Sequence, residues 1–68
     1  MTFMNPIFIE LTRDRTPITV NISNIIAVTT NVMRKTELLF FGGTMVVDEP
    51  YEEVNEAIDK AIELSEMD

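Results

Sequence analysis

Apolar and polar residues alternate in short runs over the first two thirds of the chain, and from about residue 50 the apolar ones recur at every third or fourth position. The first pattern predicts strands and the second a helix, because side chains alternate across a strand and return to one face of a helix every 3.6 residues or about that. Ile7-Phe8-Ile9-Glu10-Leu11-Thr12 reads as a first strand, with Ile7, Ile9 and Leu11 on one face and Phe8, Glu10 and Thr12 on the other. Polar residues then gather at Arg13-Asp14-Arg15-Thr16, and Pro17 cannot donate to a ladder, so a turn is expected there. Ile18 to Asn21 is a second strand with Ile18 and Val20 inward. The link Asn21-Ile22-Ser23-Asn24 is rich in side chains that bond their own backbone, which predicts a tight turn or a single 3₁₀ turn. Ile25 to Thr30, β-branched almost throughout, is a third strand. Asn31 to Lys35 makes a loop that leaves one of Val32 and Met33 exposed. Residues 36–41 and 44–47 are the fourth and fifth strands, joined by a hairpin turn at Gly42-Gly43. Strands joined by such short loops form an antiparallel meander, since parallel pairing needs long crossovers.

A helix follows over about residues 50–66. Asp48 and Glu49 supply acceptors for the free N–H groups of its first turn, and Pro50 has no N–H to leave unpaired there. Tyr51, Val54, Ile58, Ala61, Ile62 and Ser65 form a single buried stripe, with Glu52, Glu53, Glu56, Asp59, Glu63 and Glu66 elsewhere around the cylinder. Glu56 and Lys60 make an i,i+4 pair in the favourable order. Met1 to Asn5 reads as a frayed or edge segment, with Met4 as an alternative start. The pattern as a whole predicts one α+β domain over residues 1–68, a five-stranded antiparallel β-meander with one C-terminal amphipathic helix packed on one face.

The second face of that sheet complicates the picture. If Leu38 and Phe40 meet the helix, then Leu39 and Phe41 point away from it, where Phe8, Ile25 and Ala27 are candidates to join them. The alternation does not decide which set meets the helix. Either assignment leaves apolar side chains on both faces, whereas a sheet with one solvated face alternates cleanly. Two geometries would hide them: a sheet curled into a small barrel, or an oligomer interface on the outer face. Association is favoured, because a single helix cannot cover both faces. Leu64 and Met67, off the main helical stripe, add weakly to that side.

Length and composition narrow the functions. A chain of 68 residues holds one domain, and one so short buries only about 60% of the surface its unfolded form exposes, so association is a common remedy. Without cysteine there are no disulfides, and without histidine a zinc site would have to be built from carboxylates alone. No apolar run approaches the roughly 20 residues of a membrane span, and the N-terminus lacks the basic and apolar regions of a secretory leader, so a soluble cytoplasmic protein is expected. A net charge of −7 argues against nucleic acid, which is bound by Lys and Arg displacing counterions. The acidity belongs to the helix. Residues 1–47 hold four cations against three acids, a net +1, while residues 48–68 hold nine acids against Lys60 alone, a net −8. The four other cations fall in two turns, Arg13 with Arg15 and Arg34 with Lys35. Solubilising turns are the plainer account of them; the sharper one is that they grip an anion or an acidic partner.

The remaining residues form no recognisable catalytic pattern. Gly42-Gly43 lies between strands instead of opening a helix, as a phosphate loop would. The hydroxyl residues have no His or Cys with which to build a hydrolytic triad. The paired carboxylates Asp48-Glu49 and Glu52-Glu53 lie at or near a helix N-terminus, where negative charge is favourable for electrostatic reasons alone. Tyr51 reads as a core or rim residue.

The order of features resembles the FlbD family of small bacterial proteins, also called SwrD-like, found among flagellar genes. The resemblance runs through Ile9-Glu10-Leu11-Thr12-Arg13, Asn21, Ile25 and Ile26, Thr36-Glu37-Leu38 before the glycine turn, and Val47-Asp48-Glu49-Pro50-Tyr51-Glu52-Glu53-Val54 into the helix. It implies a non-enzymatic accessory protein with no cofactor and no catalytic residues. The expected function is therefore that of a small oligomeric module that binds a protein partner, through Phe8, Ile25, Leu39 and Phe41 on the sheet and Glu52, Glu56 and Glu63 on the helix. An alternative from another class is a phage- or host-encoded oligomer that captures a small anionic, nucleotide-type ligand where symmetry brings Arg13, Arg15, Arg34 and Lys35 together between subunits.

Overall fold

The computed structural model describes residues 6–66; the segment Met1 to Asn5 and Met67 lie outside the described residues. Five antiparallel strands and one helix follow in the expected order: β1 (Phe8–Arg13), β2 (Thr16–Asn21), a 3₁₀ turn (Ile22–Asn24), β3 (Ala27–Thr30), β4 (Thr36–Phe40), β5 (Gly43–Val47) and α1 (Tyr51–Ser65). The α+β class holds, but the strands divide into a β1–β2 hairpin and a β3–β4–β5 meander, and no closed barrel forms among the described residues.

Pairing of Ile9 with Val20 and of Leu11 with Ile18 puts these four side chains on one face of the hairpin. Arg13 pairs with Thr16, which leaves a two-residue loop of Asp14 and Arg15. Both have positive φ, 48° and 65°, the mirror-image turn whose twist suits a hairpin. Strand β2 starts earlier than Pro17 suggests, because β2 is an edge strand and a missing N–H on its open side costs no ladder bond. The 3₁₀ turn is held as its composition predicts, with Asn21 Oδ1 accepting from Ser23 N at 3.1 Å and from Ser23 Oγ at 2.7 Å.

Three boundaries shift in the meander. Phe40 pairs with Gly43, so the turn is Phe41-Gly42, not Gly42-Gly43, and Phe41 belongs to the hairpin tip instead of β4. Strand β3 begins at Ala27; Ile25 closes the 3₁₀ turn through its N–H to Ile22 O and packs on the core, not on the outer face. Both Val32 and Met33 are exposed, 99% and 74%, where only one was expected to be.

Register also decides which face meets the core. Leu38, opposite Val28 and Met45, is fully buried, while Leu39 lies on the other face opposite Ala27 and Thr44. Ile9, Leu11 and Val20 from the hairpin, Leu38 and Val47 from the meander, and Val54 from α1 make up the core. Helix α1 packs on both β1 and β3 and so bridges the two sheets. Its buried stripe is narrower than the sequence suggests: Val54 is buried and Ala57, Ile58 and Ala61 pack beside it, but Tyr51, Ile62 and Ser65 are exposed.

Candidate functional site

The segment that joins β5 to α1 organises one end of the molecule. Asp48 and Glu49 do not cap the helix as the sequence suggests; Pro50 is the N-cap and no side chain bonds there. Their carboxylates turn to strand β1 and its hairpin loop instead. Glu49 accepts from Thr12 N at 2.9 Å and from Thr12 Oγ1 at 2.8 Å. Asp48 accepts from Asp14 N at 3.2 Å and Arg15 N at 2.8 Å, and its own N–H donates to Thr12 O at 2.7 Å. From the other sheet, buried Thr36 donates its hydroxyl to Glu49 O at 2.6 Å. Two consecutive acids thus tie the hairpin, the meander and the helix start together. The local rule that places acids at helix starts gave no hint of partners more than thirty residues away.

This joint brings the two cationic turns to the same end of the fold. The Arg13/Arg15 turn is anchored on Asp48, and Thr36, next after Lys35, is anchored on Glu49 and pairs with Val47. All four cations are exposed. The backbone donors that the left-handed Asp14-Arg15 turn would offer an anion are taken by the Asp48 carboxylate, so an external anion would meet guanidinium groups alone. The second loop is ordered by one residue. Asn31 Oδ1 accepts from Met33 N and Lys35 N, its N–H donates to Lys35 O, its carbonyl accepts from Arg34 N, and its Nδ2 donates to Glu37 Oε2. Arg34 takes the left-handed conformation that closes this loop, with φ 63°. A stiff tip of two exposed apolar side chains followed by two cations is the result.

Two further surfaces stand out. On the outer face of the meander, register aligns Ala27, Leu39 and Thr44 in one row and Thr29, Glu37 and Val46 in the next. Val46 is exposed, Leu39 half-buried, and on β1 the outward Phe8 is 55% exposed. Phe41, 98% exposed, projects from the hairpin tip at the other end of β4 from Thr36. On α1, the exposed Glu52, Glu56, Asp59 and Glu63 are spaced i, i+4, i+7 and i+11 and form one line on the side away from Val54. Of the interface residues read from sequence, Phe8, Leu39, Phe41, Glu52, Glu56 and Glu63 therefore reach the surface and Ile25 turns to the core.

No group of three or more potential metal-ligating side chains forms among the described residues. None of the described helices is long and apolar enough to cross a membrane. No protein-family model, no curated protein and no solved structure matches the chain.

Proposed function

We propose that this chain is a small non-enzymatic interaction module of the cytoplasm, which associates with itself and binds a protein partner. The observation that carries the reading is the distribution of large apolar side chains. Phe8, Val32, Met33, Phe41, Val46 and Leu64 are at least 40% exposed, while six apolar side chains among the described residues are buried in the core. Apolar side chains at the surface mark an interaction site where they share a face, as Leu39 and Val46 do on the outer face of the meander. The acidic line on α1 adds electrostatic steering, which acts chiefly on association rate and on the choice of partner. The resemblance to the FlbD family supports an accessory role of the same kind.

A photo-cross-linking residue at position 46, in the cell of origin, tests this reading. It should give a discrete adduct with another protein, and the same residue at Thr19, on the hairpin edge, should not. An absence of protein adducts at position 46 would overturn the reading. Thermal shift against a panel of nucleotides separates it from ligand capture at the turns, since a ligand at about 100 times its Kd stabilises by roughly 2.7 kcal/mol.

A further inference from the structure

Two surfaces of this molecule are complementary to each other and face apart within one chain. The first is the cationic end: Arg34 and Lys35 on the hydrogen-bonded β3–β4 loop, Arg13 and Arg15 on the hairpin turn at the same end, and the exposed Val32 and Met33 at the loop tip. The second is the acidic line on α1, which points away from Val54 and hence from the sheets that carry the turns. Its first acid, Glu52, lies at the turn end of the helix, whereas Asp59 and Glu63 lie roughly 10 and 16 Å farther along the axis. The loop cations of the same chain therefore lie away from the far half of the line, where Lys60 alone, the i+4 partner of Glu56, stands beside two acids, Asp59 and Glu63.

An independent feature of α1 marks that far half. Helix C-termini carry partial negative charge and favour cations. Yet the last turn of α1 contains no basic residue, while Glu63 lies within it and Glu66 is the C-cap. The helix is thus charged against its own dipole at the place where a cationic partner would relieve it. Ile62 and Leu64, both exposed, flank the acidic line on opposite sides. An apolar seat for Val32 or Met33 is present whichever side the tip approaches from. The Asn31 bonds hold the loop in shape before contact, which lowers the ordering cost of docking.

We propose that the cationic loop end of one copy docks on the C-terminal half of the acidic line of α1 in a second copy, with Arg34 and Lys35 against Asp59 and Glu63. The proposal rests on the self-association proposed above and names its surfaces. Such a contact is head-to-tail, so it builds a ring if the rotation closes and a filament if it does not. It leaves the outer face of the meander free for the protein partner.

Charge reversal on each surface tests it by sedimentation velocity. Both R34E/K35E and D59K/E63K change only exposed side chains and should keep the wild-type circular dichroism and melting behaviour. Each should weaken self-association by at least about tenfold. The helix variant is the more telling, because it lowers the net charge from −7 to −3 and would strengthen association if general repulsion were the only effect. Mixed in equal amounts, the two variants should co-assemble, since each keeps the half that the other has lost and the two reversed halves are again opposite in charge. If both variants associate as the wild type does, or the mixture stays monomeric, the docking is overturned while self-association through another face survives. A wild type that remains a single chain at every concentration removes both.

Discussion

Glu49→Ala should unfasten the joint between the two sheets and the helix. In the native fold the Glu49 carboxylate accepts a backbone N–H and a hydroxyl from Thr12, at 2.9 and 2.8 Å, in a half-buried setting. A hydrogen bond to a charged group contributes about 1.5–3 kcal/mol, and partial exposure with water replacing the lost acceptor reduces that, so the pair together should be worth about 2 kcal/mol. A domain of this size loses roughly 4–8 °C of Tm for each kcal/mol, which makes the expected drop about 8–16 °C. Glu49→Gln should cost less, about 1 kcal/mol, because the amide oxygen still accepts from Thr12 N and the amide nitrogen can donate to a rotated hydroxyl. Circular dichroism melts of the two variants, with Thr12→Val and the double variant completing a cycle, measure the effect. The cycle should give a coupling of about 1 kcal/mol. If Glu49→Ala melts within 2 °C or so of the wild type, or the cycle shows no coupling, the carboxylate does not hold the joint and the reasoning fails.

Other substitutions examine the core, the second arm of the joint and the loop. Leu38→Ala removes a fully buried side chain from the middle of the meander and should cost about 3 kcal/mol, enough to leave much of the protein unfolded at 37 °C or thereabouts; urea titration reads it. Thr36→Val keeps the shape but deletes the 2.6 Å bond to Glu49 O in a buried place, with an expected loss of about 1–2 kcal/mol in the same titration. Asn31→Ala removes the acceptor shared by Met33 N and Lys35 N, so amide hydrogen exchange at those two positions should accelerate by tenfold or about that while the β4 amides stay protected.

Much of the fold is legible in the sequence because its signals are local. Alternation in Ile7 to Thr12 and Thr36 to Phe40, side-chain-to-backbone bonding in Asn21 to Asn24, and helical spacing from Val54 to Ala61 each depend on neighbours a few residues away. Where the reading fails, a distant group decides. Asp48 and Glu49 look like helix-start acids until strand β1 offers Glu49 an N–H and a hydroxyl, and the turn after it offers Asp48 two N–H groups. Ile25 has the composition of a strand residue, but the 3₁₀ turn before it closes on its N–H and redirects the side chain to the core. Phe41 looks like the end of β4 until the Phe40–Gly43 pair draws it into the turn. The clustering of Arg13, Arg15, Arg34 and Lys35 at one end is invisible in their spacing, since it follows from the joint that neither pair contains.

Sedimentation equilibrium of the intact chain at physiological ionic strength, over a wide range of concentrations, is the measurement on which the functional reading turns. An apparent mass that rises with concentration above that of one chain, and falls back when salt is raised, is the predicted result. A mass of one chain at every concentration and every salt would contradict it.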